Sequence, residues 1–134
     1  GHYPVLRSRE GGFCAGWGYA RIGSVRDRLR SILARRSSDA GPTIYCCGHQ
    51  HINSVVESEG VIQIVTGALG NSPYCYRTID LGTRSFRIET VFLSGFENWL
   101  DDAMNPDKST DGTHRTPEEY HRGSKEERSF QIYS

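Results

Sequence analysis

Apolar positions along the chain change their spacing several times, and each change marks an element. Ile22, Val25, Leu29, Ile32 and Leu33 recur at helical spacing, with Arg26, Arg28, Arg30, Arg35 and Arg36 on the remaining faces. Ser24 with Asp27 suits the start of that helix, and Arg35-Arg36 suit its negative end. Ser37 to Pro42 reads as a turn. Thr43 to Cys47 is continuously apolar, the mark of a short buried strand, and it stops at Gly48. Ser54–Glu57 and Val61–Thr66 read as two strands joined through Ser58-Glu59-Gly60. Tyr76–Leu81 and Ser85–Leu93 form a second hairpin through Gly82-Thr83, with Phe86, Ile88, Thr90 and Phe92 on one face of its second arm.

The flanks lack this regularity. Residues 1–20 read as a loop rich in glycine, with Gly11-Gly12 and then Gly16 and Gly18 around Trp17. From Ser94 onward the chain turns polar. Asn98–Met104 is a candidate short helix, Asn105–Arg115 has a loop composition, and Thr116-Pro117-Glu118-Glu119 is a helix start with Thr as cap. Phe130-Gln131-Ile132 either docks as a strand or frays. The division predicted is a domain portion over 1–93 and a polar C-terminal extension with short helices over 94–134. A helix followed by a run of strands predicts a mixed α/β fold.

Composition narrows the partners. The 134 residues carry 16 Lys+Arg and 16 Asp+Glu, so no global field favours nucleic acid or an anionic membrane. The longest apolar run, Val61–Val65 with a Gln inside, is too short to span a bilayer. Neither nucleic acid nor membrane is therefore expected as a partner. Cys46 and Cys47 are adjacent and point to opposite faces of a strand, so only Cys14 and Cys75 have contexts that permit a bridge.

The chemistry concentrates at the end of the first strand, in Tyr45-Cys46-Cys47-Gly48-His49-Gln50-His51-Ile52-Asn53. Imidazole suits zinc, iron and manganese, and strand-end loops are where α/β folds place their sites. A polar turn that happens to carry histidines is the competing reading of this motif taken alone. At the other end of the helix lies Gly1-His2-Tyr3-Pro4-Val5. The order "GHYPV", helix, "CGHQH", strand pair, then Gly67-Ala68-Leu69-Gly70-Asn71 resembles the C-terminal half of the calcineurin-like metallophosphoesterases, most closely the purple acid phosphatases. The resemblance covers roughly residues 1–93.

That resemblance implies a four-layer α/β/β/α sandwich with mixed sheets, of which this chain is the C-terminal half. It implies a hydrolase of phosphate esters, acting on monoesters with two metal ions, iron paired with zinc, manganese or a second iron. His2 and His49 then correspond to ligands of the second ion, and His51 to a ligand of the first. Paired ions orient a phosphate ester and activate water for attack. Tyr3, Asn53 and Asn71 are candidate substrate contacts. Glu10 is the candidate proton donor, although Gly11 follows it where small purple acid phosphatases carry a histidine. The family's remaining ligands, a D-x-H, a GD aspartate and a GNH asparagine, precede the GHYP motif. The missing N-terminal half of the domain is thus an expected partner, and this portion alone is expected to be inactive. The alternative is a non-catalytic metal-binding or degenerate module on the same fold. His114 and His121, in the polar tail, are expected to be solvated.

Overall fold

The computed structural model describes residues 1–8, 23–70, 73–95 and 117–133. Helix α1 spans Gly23–Ala40. Leu29, Leu33 and Ala34 face the core, packing on Val5, Leu6 and Val61. The apolar stripe is narrower than its spacing predicts, because Val25 and Ile32 remain 68% and 51% exposed. The helix also runs a turn past Arg36. Ser37 is buried and its hydroxyl donates to the Gly60 carbonyl at 2.6 Å, tying the last turn to the neighbouring hairpin. The stop comes at Gly41, whose φ of 86° lets its N–H reach back to the Ser37 carbonyl at 3.0 Å, a left-handed cap. The predicted turn over 37–42 thus shrinks to Gly41-Pro42.

Three strands follow, β1 (Thr43–Cys47), β2 (Ser54–Ser58) and β3 (Val61–Val65), in the order β1-β3-β2. β2 and β3 form the expected antiparallel hairpin, and β1 runs parallel to β3, so this sheet is mixed. Strands β4 (Cys75–Leu81), β5 (Ser85–Phe92) and β6 (Ser129–Tyr133) make a second, antiparallel sheet in the order β4-β5-β6. The two sheets pack face to face. Ile62, Ile64 and Ile88 are buried between them, flanked by Ile44, Val55, Phe86, Phe130 and Ile132. Alternation then assigns the other face of the mixed sheet to Tyr45, Cys47, Val61, Gln63 and Val65, and α1 covers part of it. The fold is mixed α/β with two small sheets, one of them mixed.

The C-terminal residues contribute to this core. Helix α2 (Pro117–Arg122) begins where the Thr-Pro-Glu-Glu pattern places it, and Tyr120 is buried with Cys47, Ile52 and Val65. His121, expected in solvent, is only 5% exposed, because its neighbour Tyr120 is a core residue and its carbonyl accepts from the Asn53 N–H at 2.8 Å. Helix α3 (Lys125–Arg128) has a complete capping box. Glu127 N–H donates to Ser124 Oγ at 3.3 Å and Ser124 N–H to Glu127 Oε2 at 2.9 Å. Phe130-Gln131-Ile132 docks within β6 against β5. The candidate helix over 98–104 lies outside the described residues.

The Gln inside the apolar run of β3 is explained by what crosses the sheet. Gln63 is fully buried, and its Oε1 accepts from Val5 N–H at 2.7 Å and Leu6 N–H at 2.8 Å. Its Nε2 donates to the Leu6 carbonyl at 2.9 Å and to Ser8 Oγ at 3.1 Å. A segment without strand pairing thereby gains the backbone partners that burial demands.

Cys47, Cys46 and Cys75 are free thiols. No Cys14–Cys75 bridge is formed, and Cys14 itself lies outside the described residues. Burial pushes the Cys47 thiol up to about 12 from its ordinary value of 9.0. Its folded state favours the neutral thiol, so that contribution to stability is whole below pH 9 and is lost as pH rises toward 12. The loss is expected at about 1.4 kcal/mol per pH unit over that window. Denaturant midpoints measured from pH 8 to 11 should fall less steeply for Cys47→Ala than for the native chain; parallel slopes would contradict the assignment.

Candidate metal centre

Two distant motifs meet at the C-terminal end of β1. The Gly48 N–H donates to the His2 carbonyl at 3.1 Å, and the Gly1 nitrogen donates to the Cys46 carbonyl at 2.7 Å. The GHYP segment therefore lies along the outer edge of β1, held in place further on by the Gln63 clamp. That apposition puts His2 Nε2 at 2.9 Å from His49 Nδ1, across 47 residues of chain. The rings meet edge to face with centroids 4.8 Å apart. Tyr3 packs against both, its ring 4.8 Å from that of His2 and 4.5 Å from that of His49.

The loop after β1 alternates in and out. Gln50, Ile52 and Asn53 are buried, whereas His49 and His51 between them are half-buried. The backbone achieves this at residues that resist it. His49 has φ of 68° and His51 φ of 50°, both in the left-handed region. Gln50 N–H bonds to the Gly48 carbonyl at 2.9 Å, closing a three-residue turn centred on His49. Gly48, where β1 stops, has room for an added Cβ, whose nearest neighbour would be Thr66 O at 3.6 Å. The sharp exit is made by the histidines themselves. Left-handed backbone at a residue other than glycine costs on the order of 1–3 kcal/mol and persists where the surroundings impose it. His51→Gly is accordingly expected to raise stability by about 1 kcal/mol, read as a higher melting temperature. A melting temperature lowered by the usual penalty of an added glycine would contradict the strain.

Two ring nitrogens at 2.9 Å admit two chemistries. Either one carries the proton and the other accepts it, or both lone pairs address a common cation. Two nitrogens each about 2.1 Å from one ion are about 3.0 Å apart at right angles and about 3.4 Å apart at the tetrahedral angle, so the separation suits neighbouring ligands on a six-coordinate ion. The donor set fits that role in part. Among the described residues no group of three or more His, Cys, Asp or Glu gathers where a metal could be held. His51 is the third expected ligand, and it is not brought into such a group with His2 and His49.

The other candidates are placed as follows. Asn53 is fully buried and its carboxamide is engaged inside the protein. Its Oδ1 accepts from Gly67 N–H at 3.0 Å and its Nδ2 donates to Cys75 Sγ at 3.2 Å. It thus ties the histidine loop to the Gly67-Ala68-Leu69 loop. Burial raises the Cys75 thiol, with the Asn53 bond and Arg77 acting in the opposite sense. Glu10 and Asn71 lie outside the described residues. Sequence reasoning missed Gln63 and Tyr45, which hold the GHYP segment in place. A polar residue inside a buried apolar strand was the available signal for the first.

No helix among the described residues is long and apolar enough to cross a membrane. Compared with protein-family models, curated proteins and solved structures, the chain gave no match.

Proposed function

We propose that this chain is the C-terminal half of a metal-dependent phosphoric ester hydrolase, a phosphomonoesterase of the calcineurin-like kind with a four-layer sandwich. The observation that carries the reading is the meeting of His2 and His49. Two motifs separated by a helix and a strand converge ring nitrogen to ring nitrogen, 2.9 Å apart, at a strand end.

In this reading His2 Nε2 and His49 Nδ1 hold one ion, and His51 serves the neighbouring one. The ions, iron with zinc, manganese or iron, would supply Lewis acidity toward the phosphoryl oxygens and an activated water. The chain's own residues fix the geometry. The Gly48 N–H holds the His2 carbonyl, Gln63 holds the backbone further on at Val5 and Leu6, the left-handed turn aims His49, and Tyr3 walls the pair on one side. The carboxylate ligands come from the N-terminal half, which is the partner the reading requires. Tyr3 is the substrate contact retained here. Asn53 serves the site from within, by fixing the loop.

The second reading, a non-catalytic module in which His2 and His49 simply share a proton, is favoured by the lack of a third assembled ligand among the described residues. The test is turnover of para-nitrophenyl phosphate by a polypeptide that joins this chain to a half carrying D-x-H, GD and GNH. Hydrolysis abolished by chelator and restored by Mn²⁺ or Zn²⁺ supports the hydrolase. Hydrolysis indifferent to chelator, or none in a polypeptide with every motif, overturns it. The chain by itself is expected to show none.

A further inference from the structure

We propose that Tyr45 is the positioning residue that sets the His2 ring against His49, an inference that rests on the metal reading above. Tyr45 lies in β1, four residues before His49, with its side chain on the face that carries Cys47 and Val65. It touches the residues on both sides of His2. Its hydroxyl donates to the Tyr3 carbonyl at 2.9 Å. Its ring lies so close beneath Gly1 that a Cβ there would collide with the phenol oxygen.

His2 itself is held by its carbonyl, which accepts from Gly48 N–H at 3.1 Å. The backbone from Gly1 to Tyr3 is therefore fixed at three successive residues, two of them by the same side chain. Tyr45 also belongs to both core clusters on this face, with Val5 and Leu6 on one side and Cys47 and Ile52 on the other. A single rigid ring thus couples the strand that presents His49 to the segment that presents His2. Burial raises the phenol above its ordinary value, which keeps the hydroxyl a donor throughout the pH range in which imidazole is neutral. Outer partners of this type commonly change metal affinity by about 10–100-fold without touching the ion.

The test is calorimetric titration of the whole chain with Zn²⁺, together with ring-to-ring nuclear Overhauser contacts recorded without metal. Tyr45→Phe removes only the hydroxyl. It should remain folded by circular dichroism, bind Zn²⁺ about tenfold more weakly, and lose the His2–His49 ring contact. Gly1→Ala, which forces a methyl group onto the Tyr45 ring, should weaken binding independently and keeps the test decisive if Tyr45→Phe unfolds. His2→Ala separates the two claims. If it binds Zn²⁺ like the native chain, the metal reading fails. If His2→Ala abolishes binding while Tyr45→Phe and Gly1→Ala match the native chain in affinity and ring contact, the role of Tyr45 alone is overturned.

Discussion

Replacing Gln63 with leucine is expected to lower stability by on the order of 4 kcal/mol, a large share of what a domain of this size possesses. The volume is nearly conserved, so the loss is one of partners. Val5 N–H, Leu6 N–H and the Leu6 carbonyl would stay buried with nothing to bond, at roughly 1–3 kcal/mol for each group. Urea denaturation measures this directly, and a loss under about 1 kcal/mol would show that the segment 1–8 is not held as described. Gln63→Glu sharpens the test. A protonated carboxyl can accept from Val5 and Leu6 and donate to the Leu6 carbonyl, whereas a carboxylate cannot donate and is buried as a charge. Burial should raise its folded pKa above the unfolded value, so its stability is present in acid and lost as pH rises. Gln63→Glu should therefore approach the native chain at low pH and fall away toward neutrality. The reverse trend would contradict the clamp.

The second large effect is expected at His49. In a polypeptide that also supplies the carboxylate ligands, His49→Ala should cost more than about 100-fold in metal affinity, since even outer-partner changes cost 10–100-fold. Turnover should fall with it. Folding should be largely retained, because His49 is half-buried on a loop whose anchors are Gln50, Ile52 and Asn53. Alanine keeps the Cβ that left-handed backbone resists, so the strain at position 49 carries over into the variant and does not offset the loss of the imidazole. Native metal content and turnover in the variant would exclude His49 as a ligand. The matched substitution at His2 should behave alike, since the two nitrogens face one another and neither ring alone makes the pair.

What was legible in the sequence follows from where the physics is local. Strand β1 and both hairpins appear within a residue or so of their expected bounds, because alternation and glycine-bearing turns are encoded by neighbours. The end of α1 is not legible locally, because its last turn depends on Ser37 meeting Gly60, a contact 23 residues away. The burial of His121 is hidden for a related reason. Its polar surroundings in sequence say nothing of Tyr120 entering the core beside Cys47 and Val65. At the site, the types and order of the histidines were readable. The backbone conformation was not, since nothing in Gly48-His49-Gln50-His51 announces that the histidines, and not the glycine, take the left-handed turn. The roles of Tyr45 and Gln63 were hidden in the same way, being bonds to a segment some 40 to 60 positions earlier.

One claim carries the functional reading, that His2 and His49 jointly address a single ion. Imidazole ¹⁵N spectra of the intact chain, recorded while Zn²⁺ is added, test it most directly. His2 Nε2 and His49 Nδ1 are expected to shift together and saturate at one ion per chain. Shifts at only one of the rings, at the opposite nitrogens, or at neither would contradict it.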